Sequence, residues 1–519
     1  MNNGINRIAD EVLTSTCIYD AVSNEPFQGY VAIKGNSIIE VGKGEVPEKY
    51  NDPSIVKNYG NGTICPGFGD THTFFTGYII DNLGINLSKV KDITELNKIL
   101  KKELQSNFDK KVLFGNHLSP ELAGRYATEK MLNELSSVVP IVLFVPGHGT
   151  CAMNRIARDK FEFCPEKCYS EALYKIMGIY LTDRSFVDKQ LKDYMRMLNS
   201  RGVTSVKEMG FDDYYGFTDV LKDFDDKGDL TVRISFMSQP VGEPANIDFG
   251  KRMRKLFKSE FVRFAGFNQM TDGLILDKKG HLVDPYEGTD TVCEKDIDYE
   301  TIEKEVLLAD ENDFRFTLHS EGDGAFRKIL DILDKCKKNE DGTLKNRHGI
   351  TDLELTMPED EQRMAGLGAF GEIYAQVYEL DTYEGYLQSY EKVLGERQAR
   401  YLNYRSLVNH GVRLCGATDL PLLIPSIPES IYYGCANYCR DKKKRINPEN
   451  GLSISEMLDA WTINSQYAME REDILGTLEE GKRADIVIFD ADLFNTPIEK
   501  ILKVNVKRTL VNGKEVFSS

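Results

Sequence analysis

The sequence has no excess of positive charge. Its 65 lysine and arginine residues stand against 82 aspartate and glutamate residues, which gives a formal net charge of −17. Nucleic acids and anionic membrane surfaces bind proteins through positively charged patches. We therefore expect neither nucleic acid nor membrane as a partner, and a small-molecule substrate that is not polyanionic fits this charge better.

Long apolar runs and dense cysteines are missing as well. No segment approaches the roughly 18 consecutive apolar residues of a membrane span, and the first residues lack the apolar core of an export signal. Ten cysteines in 519 residues are too few for a disulfide scaffold, so we expect reduced thiols in the cytoplasm. The pairs Cys164/Cys168 and Cys435/Cys439 have three intervening residues, unlike most zinc knuckles, and we interpret them as structural.

Strand-like and helical runs alternate through the middle of the chain, from residue 64 to residue 475. This alternation is typical of β–α units and a parallel sheet, so we predict an α/β fold. The apolar run 141–145 is predicted to be one of its strands. Both ends of the chain differ from the middle, because residues 1–63 and 476–519 show short strands and, near the end, a hairpin pattern.

One stretch, residues 64–74, has the sequence ICPGFGDTHTF and is interpreted as a buried strand that ends in polar residues. Asp70 and His72 are two positions apart, so on a strand they point to the same side. A carboxylate and an imidazole side by side at a strand end favour a metal or acid–base site. Phe74 projects the same way but offers no ligand atom.

Residues 66–74 resemble the first-strand motif of the amidohydrolase superfamily, Pro-Gly-Phe-x-Asp-x-His-x-His, with Phe74 in place of the last histidine. Later segments extend the resemblance over nearly the whole chain and are similar to the YtcJ-like (amidohydrolase 3) branch. These segments include 202–210, 268–273, 319–325, 352–360 and 416–421. The resemblance implies a TIM-type (β/α)8 barrel over residues 64–475 and a composite β-sandwich domain built from residues 1–63 and 476–519.

The same resemblance implies a site at the carboxyl ends of the barrel strands, where β/α barrels hold their active sites. His72, His319 and Asp419 match metal ligands of the family residue by residue. Asp352 stands where the family has a histidine and is itself a competent oxygen ligand. Together these four residues are adequate for one divalent metal ion, Zn²⁺, Mn²⁺ or Fe²⁺.

Two further ligand positions of the family carry different residues here. Phe74 cannot coordinate a metal, and Asn268 stands where the family has a lysine that is often carbamylated. A two-metal centre bridged by a carbamylated lysine is therefore excluded. We expect Phe74 and Asn268 to contact the substrate instead, together with His148 and Asp272, which also follow predicted strands.

Within this resemblance Asp419 is the candidate catalytic base and acid, and His319 is a catalytic residue that acts as a ligand or as an oxyanion partner. Glu208, at another predicted strand end, is either a pocket residue or a salt-bridged acid. The remaining histidines are interpreted as structural or solvated. They are His117, His281, His348 and His410.

Two functions from different classes fit these residues. The first is a hydrolase that cleaves a non-peptide carbon–nitrogen bond, in an amide or a cyclic amide, with at most one metal ion. The second is a repurposed barrel that acts as a metal-free lyase or isomerase, or as a small-molecule binding protein. We favour the first because three ligand positions are retained, and the metal content of purified protein separates the two. A homodimer is an expectation from the family alone.

Overall fold

The computed structural model describes residues 8–106, 111–125, 128–145, 150–161, 170–210, 214–239, 244–420 and 422–519. His148, Cys164 and Cys168 lie outside the described residues. The strands, which form three sheets, are β1 Glu11–Ile18, β2 Phe27–Lys34, β3 Ser37–Lys43, β4 Val56–Asn58, β5 Ile64–Pro66, β6 Phe68–Thr73, β7 Ile85–Asn86, β8 Leu113–Asn116, β9 Ile141–Val145, β10 Thr150–Met153, β11 Val203–Gly210, β12 Arg233–Ser238, β13 Val262–Gln269, β14 Phe316–Ser320, β15 Gly349–Asp352, β16 Phe370–Ile373, β17 Arg413–Gly416, β18 Ile486–Phe489, β19 Val506–Val511 and β20 Lys514–Ser518.

The α-helices are α1 Phe75–Asn82, α2 Ile93–Ser106, α3 Pro120–Arg125, α4 Glu129–Leu135, α5 Arg155–Phe161, α6 Ser170–Leu181, α7 Arg184–Ser200, α8 Phe217–Lys227, α9 Ile247–Leu256, α10 Tyr299–Glu311, α11 Asp323–Leu333, α12 Pro358–Leu367, α13 Tyr383–Leu394, α14 Tyr404–Asn409, α15 Ile427–Ala436, α16 Ile454–Trp461, α17 Ile463–Ala468 and α18 Ile498–Ile501. Within the described ranges, none of these helices combines the length and the apolar character needed to cross a bilayer.

Eight parallel strands, β6 and β11 to β17, form a nearly closed barrel. Helices connect the successive strands, which confirms the predicted (β/α)8 architecture. A parallel sheet with helices outside and side chains inside buries both of its faces. Accordingly, all eight residues of β11 are buried, including Lys207 and Glu208. Lys207 pairs with Glu372 of β16 inside the barrel, which shows that the interior is polar in this region, whereas Glu208 contacts helices α1 and α7.

The first and last barrel strands, β6 and β17, meet at the carboxyl end of the barrel. An isolated parallel bridge joins the residues at their ends, and the N–H of Asp419 donates to the carbonyl oxygen of His72 at 2.9 Å. Asp70 holds this junction, because its carboxylate accepts hydrogen bonds from the N–H and the hydroxyl of Thr418 at 3.1 and 2.7 Å. Barrel closure therefore brings His72 and Asp419 together.

The other large sheet is built from both ends of the chain, as predicted. Its strands lie in the order β20, β19, β18, β5, β1, β2, β3, with β4 beside β1. Because β5 belongs to it, this sheet extends past residue 63, and the stretch 64–74 is two strands rather than the one predicted. They are separated by Gly67, where a Cβ atom would lie 2.4 Å from the hydroxyl oxygen of Thr204. A residue without a side chain is needed where the chain passes between the sheets.

A third sheet of four strands, in the order β10, β9, β8, β7, is inserted between the barrel strands β6 and β11. It has its own apolar core, which includes Leu96, Leu113 and Leu143. The run 141–145, predicted as a barrel strand, is β9 of this sheet. A short apolar run is buried in any sheet, so its pattern does not indicate which sheet it joins. The segment that contains His148 thus follows a strand outside the barrel.

Candidate functional site

His72 lies near the end of β6 and is almost fully buried. Its Nδ1 lies 3.0 Å from Oε2 of Glu372, and its Nε2 lies 3.7 Å from Oδ1 of Asp419. Since Glu372 also contacts Lys207, it is ionised and accepts the Nδ1 proton, which leaves the Nε2 lone pair facing Asp419. A buried carboxylate behind one ring nitrogen is the usual support of a metal-binding histidine.

Glu372 and Lys207 form a buried ion pair that reaches across the barrel from β16 to β11. Burial alone would raise the pKa of Glu372, but Lys207 and His72 more than offset this effect and lower it. Burial lowers the pKa of Lys207, and the charge of Glu372 opposes that shift. The pair keeps a negative charge behind the imidazole of His72.

His319 lies near the end of β14 and repeats the arrangement of His72. Its Nδ1 lies 3.2 Å from Oδ1 of Asp272. Its Nε2 lies 3.6 Å from Oδ2 of Asp352 and 3.7 Å from Oε1 of Glu321. Burial would lower the pKa of His319, but the surrounding carboxylates, Asp352 foremost, raise it well above its usual value. Both histidines therefore have one carboxylate behind the ring and another in front of it.

Asp272 supports His319 from behind. It is fully buried, and its carboxylate accepts hydrogen bonds from the backbone N–H groups of Glu321 and Gly322 at 3.1 and 2.9 Å. The N–H of His281 donates to it at 3.0 Å. Both oxygens accept hydrogen bonds from the protein, which favours a positioning role for Asp272; its predicted contact with the substrate stays a prediction.

Asp352 and Asp419 share an uncommon backbone conformation. Their φ angles are 74° and 50°, in the left-handed region, and Leu353 after the first of them has a φ of 50°. Residues with a side chain visit this region rarely, and such positions concentrate at functional sites. At both positions the carboxylate faces the Nε2 atom of a histidine, so the unusual backbone coincides with the two approaches between an aspartate and a histidine Nε2 atom at the barrel mouth.

Asp419 occupies the most open position of the four candidate ligands, with about a third of its side chain exposed. Desolvation raises its pKa to about 7. Electrostatic interactions with His72 and His319 oppose this rise in pKa, whereas the charge of Asp352 adds to it. A carboxyl group that titrates near neutrality accepts and returns protons readily, which is what a general base and acid requires.

The four candidate ligands form two His–Asp pairs instead of one preformed cluster. Within the described part of the chain, no three of the four bring their ligand atoms within 4.8 Å of one another. The donors nevertheless suit one divalent ion, because each histidine offers Nε2 and each aspartate offers a charged oxygen. We expected one site formed by all four ligands. The structure corrects this expectation, because an ion bound by all four residues requires the two His–Asp pairs to move closer together.

The sequence matches the amidohydrolase family over residues 58–517. The chain belongs to the amidohydrolase family. The protein named YtcJ from Bacillus subtilis is 21% identical, over 93% of this chain and 94% of that protein. N-substituted formamide deformylase from Arthrobacter pascens is 26% identical over 38% of this chain and 35% of its own. An uncharacterized metal-dependent hydrolase from Pyrococcus horikoshii has the same fold, with a TM-score of 0.74, 18% identity, and coverage of 94% and 99% of the two chains.

Two positions depart from the amidohydrolase ligand set. The ring of Phe74 lies edge-on to His72 with centroids 5.5 Å apart, and Tyr374 contacts the same imidazole at 5.8 Å. Asn268 is buried on β13 and donates to the side-chain oxygen of Gln239 at 3.0 Å. Among the described residues the amide oxygen of Asn268 has no hydrogen-bond partner. The amidohydrolase thus presents aromatic rings beside His72 and an amide oxygen without a described partner on β13, next to the strand of His319.

Glu208 forms no salt bridge with the residues that the structure describes, and its contacts are hydrogen bonds instead. It is buried, and its carboxyl accepts the N–H of Phe75 at 2.8 Å and lies 3.4 Å from the hydroxyl of Tyr194. Burial raises the pKa of Glu208 well above its usual value. Its contact with the first residue of α1 fixes the direction in which the chain leaves His72.

Glu372 and Glu321 are the residues of this site that sequence reasoning missed. Both lie outside the matched ligand positions of the amidohydrolase motif. A signal existed for Glu372, because it is one carboxylate inside the otherwise uncharged run 369–374. A charged residue in a buried strand needs a partner, and Lys207 in β11 is the corresponding signal on the other side.

One group at the opposite end of the barrel also resembles a metal site: Asp310, Cys336 and His348 have ligand atoms within 4.8 Å of one another. However, Nδ1 of His348 accepts the N–H of Phe316 at 3.0 Å. Nε2 therefore carries the proton and donates it to Asp310 at 3.0 Å. With both ring nitrogens engaged, this group is a structural network of the amidohydrolase barrel.

Proposed function

We propose that this amidohydrolase hydrolyses an amide-type carbon–nitrogen bond of a small molecule, with at most one divalent metal ion. The observation that carries the proposal is the pair of His–Asp approaches at the carboxyl end of the barrel, 3.7 Å for His72 and Asp419 and 3.6 Å for His319 and Asp352. The name of the deformylase relative, which denotes cleavage of a formamide, supports the same bond class.

The protein groups divide the work of hydrolysis between them. His72, His319, Asp352 and Asp419 would hold a divalent ion, Zn²⁺, Mn²⁺ or Fe²⁺, which would polarise the substrate carbonyl and lower the pKa of water. Asp419 takes the proton from the attacking water and returns it to the leaving nitrogen. His319 contributes Nε2 as a ligand or, when protonated, donates a hydrogen bond to the carbonyl oxygen. The ion pair of Glu372 with Lys207 keeps His72 in the tautomer with a free Nε2.

The test is a panel of formamides, acetamides and cyclic amides, with release of the amine or the acid measured together with elemental analysis of the purified protein. We expect turnover of at least one class and no more than one metal ion per chain. The matched variant Asp419→Asn shows whether turnover belongs to this site. Absence of turnover with added Zn²⁺, Mn²⁺ and Fe²⁺ contradicts the proposal.

A second function is favoured by a specific observation, the apolar ring of Phe74 at a ligand position beside His72. In that case the barrel is a metal-free lyase or isomerase, or a small-molecule binding protein, in which the His–Asp pairs transfer protons without an ion. Full activity of chelator-treated, metal-free protein on its substrate supports this second function over the first.

A further inference from the structure

Several large apolar side chains are exposed on loops that leave the carboxyl ends of the barrel strands. Leu274 and Leu276, after β13, are 56% and 42% exposed, and Leu422 and Ile424, after β17, are 38% and 36% exposed. We call these four residues the apolar rim. Single exposed leucines are normal on protein surfaces, so the position of the rim relative to the site decides whether it has a role.

The first half of the rim is connected to His319. The N–H of Ile275, between Leu274 and Leu276, donates to Oε2 of Glu321 at 2.7 Å. The other oxygen of Glu321 lies 3.7 Å from Nε2 of His319. One buried carboxylate thus contacts both His319 and the backbone of the loop that carries the two leucines.

The second half of the rim is connected to Asp419. The N–H of Leu422 donates to the backbone carbonyl of Asp419 at 2.8 Å, which makes both residues part of one turn. That turn continues into Ile424 before helix α15 begins. Both halves of the rim are therefore held by hydrogen bonds to residues of the candidate site, on opposite sides of the barrel mouth.

The candidate site at the carboxyl end of the barrel is charged, unlike the apolar rim. In the described part of the chain, the ion-pair contacts of Asp352, Asp419 and Glu321 are with histidines, and no lysine or arginine lies within 4.0 Å of their carboxylates. One divalent ion on the proposed ligands would offset two of the four carboxylate charges around His319 and His72. The remaining negative charge repels a substrate that carries its own carboxylate. A neutral amide group avoids this cost.

We propose that the substrate is a neutral amide with an apolar substituent, which packs on the apolar rim while the amide reaches the His–Asp pairs. This inference rests on the proposed hydrolysis and specifies its substrate class. Burial of a methylene group contributes about 0.8 kcal/mol, which corresponds to about fourfold in kcat/KM. Because the rim is partly open, we expect about a two- to fourfold gain for each methylene.

The test compares N-alkylformamides from ethyl to octyl, each with a matched member that ends in a carboxylate, by kcat/KM. We expect the rise with chain length in the wild type and at least a tenfold loss for the carboxylates. The double variant Leu274→Ser/Leu422→Ser should abolish the dependence on chain length. Val138→Ser is the matched control, because Val138 is 80% exposed in the inserted domain and away from the rim. It should keep the wild-type dependence.

Uncleavable alkyl methyl ketones, titrated by calorimetry, separate failure of this inference from failure of the proposed function. Ketone binding that strengthens with chain length, without cleavage of any amide, supports the rim as a binding surface and contradicts hydrolysis. Amide turnover that is independent of chain length overturns the inference. The inference is also overturned if the double variant turns a dimer into a monomer in sedimentation, because the rim is then an interface between two copies.

Discussion

Each end of the barrel holds histidine among carboxylates, but the two ends are built differently. At the amino end, both nitrogens of His348 have hydrogen-bond partners at 3.0 Å, the N–H of Phe316 and the carboxylate of Asp310. At the carboxyl end, Nε2 of His72 and Nε2 of His319 lie 3.6–3.7 Å from carboxylate oxygens, beyond normal hydrogen-bond length. The same residue types therefore form a fully hydrogen-bonded network at the amino end and an incompletely hydrogen-bonded one at the carboxyl end.

This difference indicates where function resides. A buried polar group whose hydrogen bonds are complete stabilises the fold. A buried polar group that lies near a partner, but beyond hydrogen-bond length, can still bind a ligand. The backbone agrees with this interpretation, because Asp352 and Asp419 at the carboxyl end have positive φ angles. Strain of this kind persists only where surrounding structure supports it, and it concentrates at active sites.

The largest difference between the two ends of the barrel is expected when one aspartate at each end is replaced by asparagine. Asp419→Asn removes the proposed base and a charged ligand, so we expect kcat to fall by about two or more orders of magnitude with little change in stability. Asp310→Asn is the matched control at the amino end and should leave the activity of folded enzyme unchanged. Unchanged turnover in Asp419→Asn assigns the proton transfer to another residue.

His348→Ala tests the hydrogen-bonded network of His348 and Asp310 at the amino end of the barrel. The change leaves the N–H of Phe316 without its partner and removes one donor from the carboxylate of Asp310, which keeps its hydrogen bonds from Lys337 and Asn346. Together with the cavity left by the ring, we expect the free energy of unfolding to fall by roughly 2–5 kcal/mol. Urea denaturation measures this loss, and elemental analysis should show the same metal content as the wild type. Loss of metal without loss of stability would instead identify this network as an ion site.

Glu372→Gln tests the support behind His72. Glutamine keeps the volume but removes the charge that accepts the Nδ1 proton and pairs with Lys207, so the imidazole loses its fixed tautomer. We expect metal affinity to fall by about 10- to 100-fold, measured by competition with a chromophoric chelator. Glu208→Gln is a suitable comparison, since Glu208 contacts α1 and not His72. Equal losses in both variants would point to general destabilisation.

The smallest effect is expected for Phe74→His. The Phe74 ring lies 5.5 Å from the imidazole of His72, so a histidine there restores a His-x-His pair at the strand end. Metal occupancy after purification should rise, whereas native activity should not, because the ring also contributes to the apolar surface beside the site. Identical metal content in the two proteins would show that position 74 is too far from the ion to bind it.

The sequence predicted the barrel and the sheet from both termini because their signals are repeated along the chain: β–α alternation, a terminal hairpin and strand-end motifs. It predicted His72, His319, Asp352 and Asp419 because their segments resemble the ligand motifs of the amidohydrolase family. It did not assign β9 to the inserted sheet, since a five-residue apolar run satisfies either sheet. Glu372 was missed for a related reason: its partners are distant in sequence, and only barrel closure places them together.

The junction between Asp70 and Thr418 has a consequence for how the protein is made, since the two residues are 348 positions apart. At about 5–20 residues per second, a ribosome needs roughly 20–70 s to synthesise the intervening chain. During that time β6 has a free edge, and the carboxylate of Asp70 has yet to meet its hydrogen-bond donor, Thr418. Contacts of such separation form late, because the loop must close before they stabilise anything. Recovery of activity on refolding should therefore lag behind recovery of helical circular dichroism.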